Sequence, residues 1–162
     1  MISKEEYLNA IKKEFDIIKH LGEKVTEEQL SWKPTEKQRT TLELMHYLTY
    51  IFLMGADSVA SGDGEAYKKY INTEAPTREN FSQMMDAEWE KFFGFVNPLT
   101  EEDLKTEMMM WGRTQSRAMH LLGFLSLASA YKTQLFLYMK QTGMENLNTM
   151  NLWAGMDTPP KE

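Results

Sequence analysis

The sequence predicts an all-α protein: one four-helix bundle with short extra helical turns and an irregular C-terminal tail. Three observations predict it. Apolar residues recur at helical spacing in four long stretches. Capping signatures precede helical segments, as in Ser3 followed by Glu6 and Thr26 followed by Gln29. Period-two alternation bounded by hairpin turns is not evident, so no strands are expected. There is no internal repeat. The 162 residues fit a single domain spanning 1–162 with a sizeable core.

The first helix opens at Ser3 and buries Tyr7, Leu8, Ile11, Phe15, Ile18 and Leu21, ending near Gly22. The Thr26–Gln29 cap leads only to Leu30, Trp32 and Pro34, which reads as one helical turn and a proline-bounded loop. Thr40 or Thr41 caps the second helix, which runs through Leu44, Met45, Leu48, Ile51, Phe52 and Val59 to the stop at Ser61-Gly62-Asp63-Gly64. Residues 65–76 are polar, with Tyr67, Tyr70 and Ile71 scattered among them.

Pro76-Thr77 starts a third helix with the stripe Phe81, Met84, Met85, Trp89, Phe92, Phe93 and Val96, and Asn97-Pro98 stops it. Thr100 to Asp103 is another capped turn, and Met108 to Arg113 reads as a connector with an apolar tip. Thr114 caps the fourth helix, which reaches about Thr142. It is apolar on most faces and is expected deep in the bundle. The tail, Asn146 to Glu162 with Pro159-Pro160, is expected to be irregular, with Trp153 packed back onto the bundle.

Composition narrows the function. There are 18 Lys+Arg against 24 Asp+Glu, a net charge of -6. A net acidic surface repels phosphate backbones, so no nucleic-acid partner is expected. The lack of cysteine excludes disulfides, a Cys nucleophile and thiolate metal sites. The longest apolar stretch, Ala118 to Met139, carries His120, Lys132 and Gln134. A lysine within a membrane span costs roughly 2.5–3.5 kcal/mol, so this is read as a buried soluble helix with no membrane partner. Met1 to Glu6 is charged and shows no signal-peptide core, which makes the cytoplasm the expected compartment.

The 3 histidines fall on three different helices. His20 sits beside Lys19 near a helix end, where a cation suits the dipole. His120 opens the fourth helix, with Gly123 and Phe124 one turn on. His46 has Glu43 one turn back, able to hydrogen-bond it or to join it on a metal. Glu43-Leu44-Met45-His46 is a single Glu-x-x-His, whereas a di-iron bundle site needs two and two further glutamates. Dinucleotide, P-loop, zincin and hydrolase motifs are absent, and Ser126 and Ser129 lack a base at helical spacing. The 13 methionines read as flexible core filling, with an adaptable binding surface as the alternative.

Leu44-Met45-His46-Tyr47-Leu48 resembles the second helix of the DinB superfamily, and Leu30-Ser31-Trp32-Lys33-Pro34 resembles its preceding loop. Leu127 to Leu135 resembles the family's His-rich fourth helix, continuing to Gly143. The resemblance covers about residues 5 to 145. It implies a four-helix bundle, often a homodimer. In many members a divalent metal such as Zn or Ni is held by one His on the second helix and two ligands four residues apart on the fourth. Some members are thiol-cofactor-dependent transferases or isomerases.

Carried over by position, the ligands would be His46, Leu127 and Tyr131. Only His46 is retained. Leu127 has no donor, and Tyr131 would ligate only as a phenolate. His120 lies seven residues before Leu127, roughly 10 Å along the helix, and does not restore the site. The expectation is a DinB-like protein without the metal site and with no cofactor, acting as a small-ligand binder or an interaction module. Its cleft candidates are His46, Tyr131, Gln134, Trp32 and Trp111; no catalytic residue is assigned. The alternative is a metal-dependent or thiol-cofactor-dependent transferase or hydrolase using His46.

Overall fold

The structure is a computed structural model and describes residues 3–158. Four long helices form the bundle: α1 (Lys4–Gly22), α2 (Thr41–Ser61), α3 (Phe81–Val96) and, after a short α4 (Glu101–Lys105), α5 (Arg117–Gln141). A β-hairpin, β1 (Glu107–Met110) and β2 (Arg113–Ser116), precedes α5, and a short α6 (Thr149–Ala154) follows it. Two 3-10 turns, Glu27–Gln29 and Ala66–Tyr70, lie in the connections.

The caps form as the sequence suggests. Ser3 Oγ accepts from the Glu6 N–H while the Glu6 carboxylate accepts from the Ser3 N–H. Thr40 and Glu43 repeat this box at the start of α2, and Gly62 ends α2 at φ 73°. The core centres on Phe15 of α1 and Phe52 of α2, stacked at 4.6 Å, with Phe92 of α3 against both.

The enclosed helix is α2, not α5. It packs against α3, α5 and the Ala66–Tyr70 turn, and every residue from Ile51 to Val59 is buried. Its buried Asp57 accepts from the Tyr70 hydroxyl at 2.8 Å and pairs with Lys69. By contrast α5 exposes Met119, Leu122 and Leu137 by 50%, 43% and 49%, with Gly123, Ser126 and Ala130 between them. That outer stripe is uncharged, so its composition imitates a buried helix. Toward α1, α5 buries Lys132, whose Nζ lies 2.7 Å from Glu14 Oε2.

The connector is a hairpin rather than an irregular loop. Met108 pairs with Gln115 and Met110 with Arg113. The turn residues Trp111 and Gly112 both have positive φ, 52° and 72°, the backbone a two-residue hairpin turn requires. Met108 and Met110 are buried while Met109 is exposed, so period-two burial is present. Identical side chains at three successive positions hide it from composition. The helix that follows is capped by Ser116 Oγ, which accepts from the Met119 N–H, instead of by Thr114.

The tail also departs from expectation. Residues 149–154 are helical, capped by Asn148. Asn151 is buried against α1, but Trp153 falls on the opposite side of α6 and is 72% exposed. Pro159 and Pro160 lie outside the described residues. Among the described residues no helix is long and apolar enough to cross a membrane.

Candidate ligand site on the α2–α5 face

His46 points its Nε2 at Thr73 Oγ1, 3.1 Å away, and its ring meets Tyr50 edge-on at 5.1 Å. The Thr73 hydroxyl spends its hydrogen on the Tyr70 carbonyl at 2.9 Å. The His46 Nε2 must therefore donate, which is the Nε2–H tautomer when the imidazole is neutral. Burial holds the His46 pKa below its ordinary value, in agreement with that tautomer. Glu43 does not join His46: its carboxylate accepts from the Thr40 N–H at 2.7 Å to cap α2. The helix terminus claims the side chain that the Glu-x-x-His spacing offered to a metal.

Tyr131 meets Tyr47 rather than His46. Their rings are 4.8 Å apart, and Tyr47 lies 5.4 Å from Tyr50. Tyr50 thus links His46 to the Tyr47–Tyr131 pair. The Arg39 guanidinium stands 4.3 Å from the Tyr47 ring centre and 5.5 Å from that of Tyr131. Arg39 is exposed and has no ion-pair partner among the described residues. Tyr47 is pushed up to about 12 by burial, with Tyr131 adding to the rise and Arg39 opposing it, so it remains a phenol at neutral pH.

Trp32 and Gln134 reach this cluster through Tyr138. The Gln134 side-chain amide donates to the Tyr138 hydroxyl at 2.6 Å, and that hydroxyl donates to the Arg39 carbonyl at 3.3 Å. Trp32 packs edge-on to the Tyr138 ring at 5.1 Å. Both side chains therefore fix the loop that carries Arg39. Trp111 lies elsewhere, between Tyr67 and Phe124 at 5.4 and 5.1 Å. Phe124 abuts Gly55, which is nine residues, about 13 Å, beyond His46 along α2. Leu127 is half-buried and packs on the core.

The other histidines are structural. His120 is 5% exposed; its Nε2 donates to the Met108 carbonyl and its Nδ1 accepts from the Gln115 amide, both at 3.1 Å. It clips the hairpin onto α5. His20 Nε2 accepts from Asn151 Nδ2 at 3.2 Å, and burial holds its pKa low. It is a neutral packing group rather than a cation at the helix end.

Among the described residues, no group of three or more His, Cys, Asp or Glu side chains could hold a metal ion. The positions matching the family's ligands carry one imidazole already hydrogen-bonded, one leucine and one phenol beside a guanidinium. This donor set does not fit a divalent cation. It offers neutral hydrogen-bonding groups, aromatic faces and one positive charge. Arg39, Tyr138 and Thr73 carry no sequence signal that links them to His46. The legible part of the signal was polar-tipped aromatics at Tyr47 and Tyr50, one turn apart on the helix of His46.

The bundle has the fold of solved structures described as DinB-like. Residues 2–155 match the model of a family described as a protein of unknown function (DUF1572), and the chain belongs to that family. It is 23% identical over 135 residues to the uncharacterised protein YjoA of Bacillus subtilis, covering 82% of this chain and 86% of that one. The crystal structure of YjoA, a DinB-like protein, matches with a TM-score of 0.74, covering 88% of this chain and 95% of that chain. A putative member of the DinB family from Exiguobacterium sibiricum matches with a TM-score of 0.70 at 17% identity, covering 91% and 97%. A DinB-like protein from Bacillus cereus matches at 0.68 and 17% identity, covering 86% and 92%.

Proposed function

We propose that this chain is a DinB-like protein that has lost the metal site and binds a small anionic ligand on the α2–α5 face. The observation that carries this reading is Arg39, whose guanidinium stands over Tyr47 and beside Tyr131, the residue at one of the positions where the resemblance implies a metal ligand. An arginine takes over the positive charge, and its fork of donors suits a planar carboxylate or a phosphate. Tyr47, Tyr50 and His46 add neutral groups on one side.

Elemental analysis of untagged protein tests the metal half of the proposal. The expected result is no stoichiometric transition metal. One equivalent that disappears in His46→Ala overturns it. Titration with acetate and inorganic phosphate, followed through the Tyr47 and Tyr131 ring resonances, tests the ligand half. Saturable shifts lost in Arg39→Ala are expected, and unchanged shifts in that variant refute it.

The homodimer belongs to the same proposal, with a second copy of the chain packing on the uncharged outer stripe of α5 around Met119, Leu122, Ala130 and Leu137. Of the methionine tip, Met108 and Met110 are buried, leaving only Met109 and Trp111 exposed for contacts. Light scattering decides between a dimer disrupted by Leu122→Glu and a monomer at all concentrations, which removes the dimer.

A further inference from the structure

We infer a second, independent ligand site on the opposite face of α5, between α1, α5 and α6, suited to a small monocarboxylate with a flat apolar body. An open groove of about 350 Å³ lies there, lined by Lys13, Glu14, Ser129, Lys132, Thr133, Leu152 and Trp153. That volume is at the lower end of small-molecule pockets. Its floor is the buried pair Lys132–Glu14. Lys132 is only 6% exposed, an unusual position for a lysine.

The pair is close but poorly aligned. Lys132 Nζ is 2.7 Å from Glu14 Oε2, yet that oxygen is sealed from solvent and has no aligned hydrogen bond among the described residues. A buried ion pair repays its desolvation only when its hydrogen bonds are good, so this one is electrostatically under-supported. The orphaned Glu14 Oε2 is an acceptor that a carboxylate leaves unsatisfied; the anion's partner is the Lys132 ammonium, whose three N–H donors have only Glu14 beside them among the described residues.

Charge and shape select the ligand. Lys13 and Lys132 against Glu14 leave one positive charge, which a monoanion neutralises. Lys13 is exposed and has no ion-pair partner among the described residues. The Ser129 and Thr133 hydroxyls lie one turn apart on the α5 wall. Trp153 stands at the rim, 72% exposed, a large aromatic face that the fold leaves uncovered. A flat apolar group lying on that indole would bury it while the carboxylate reaches the lysines.

The test is a titration of the full chain with benzoate, with indole-3-acetate as a larger probe and benzamide as the neutral isostere of benzoate. The readouts are the Trp153 indole N–H and the Ser129 and Thr133 amide resonances. Saturable shifts with a carboxylate and none with benzamide are expected. Trp153→Ala and Lys13→Ala alter exposed residues and should each weaken binding about tenfold with unchanged unfolding midpoints. Lys132→Met combined with Glu14→Gln removes both charges without orphaning either and should abolish binding. No saturation with either acid, an equal response to benzamide, unchanged affinity in these variants, or shifts confined to Tyr47 and Tyr131 overturns the inference. The last outcome would place binding at the Arg39 site instead, so the two proposals fail separately.

Discussion

The Phe124 ring rests on the bare backbone of Gly55, so close that a Cβ at residue 55 would stand 2.1 Å from ring atom Cδ2. This contact sets how nearly α5 approaches α2, and on its other side the same ring supports Trp111 of the hairpin. In Gly55→Ala, the gain in helix propensity of about 1 kcal/mol is outweighed by overpacking. A net loss of about 1–2 kcal/mol is expected in urea denaturation. Adding Phe124→Leu should recover part of it, and strict additivity in the double mutant would disprove the clash.

His120 is expected to matter for the hairpin and not for any metal. His120→Ala leaves the Met108 carbonyl and the Gln115 amide without their partner. The cost should be about 1–3 kcal/mol. Hydrogen exchange should quicken most in the β1–β2 amides. Uniform acceleration over the whole bundle would show that the clip is not local.

Lys132 and Glu14 should behave as a unit. Removing one partner strands a buried charge, so Lys132→Met should cost about 3–5 kcal/mol. The double variant Lys132→Met with Glu14→Gln should be close to wild type, because an apolar and a neutral group can occupy the same space. A double variant no more stable than the single one would contradict the pairing.

Stability should fall in mild acid through His46 and His20. Burial lowers both folded-state pKa values below the ordinary histidine value. Above about pH 6.5 both are neutral in folded and unfolded chains alike, and their contribution is fully present. As pH falls below that value the unfolded chain takes up protons that the folded chain refuses, and stability declines until the folded-state values are passed. Denaturation midpoints between neutral pH and pH 5 measure this. His46→Gln should flatten part of the slope, and an unaltered slope in His46→Gln together with His20→Gln would exclude these groups.

Much of the bundle was legible because it is written locally. Ser3 with Glu6 and Thr40 with Glu43 carry their capping function within four residues, and the stripe from Tyr7 to Leu21 shows its buried face directly. The hairpin was not legible. Met108, Met109 and Met110 alternate in burial without alternating in chemistry. The depth of α5 is not legible either, because Leu122 and Leu137 are as apolar as core residues and only tertiary context exposes them. His46 could be found from its motif, but its companions could not. Arg39 reaches Tyr47 from the preceding loop, held there by Tyr138 from α5, a contact across 99 residues of sequence. Thr73 comes from a polar connection with no periodic signal.

The stretch from Tyr70 to Thr73 holds α2 at two separated points. Tyr70 bonds Asp57, and Thr73 bonds His46, eleven residues or about 16 Å apart along the helix. A ligand that needs the His46 Nε2 must first displace Thr73 and so compete with a tether anchored at Asp57. Its measured affinity would be the intrinsic affinity reduced by the fraction of molecules with that tether released. Weakening the distant anchor, as in Tyr70→Phe, would then tighten binding at His46 without touching the ligand.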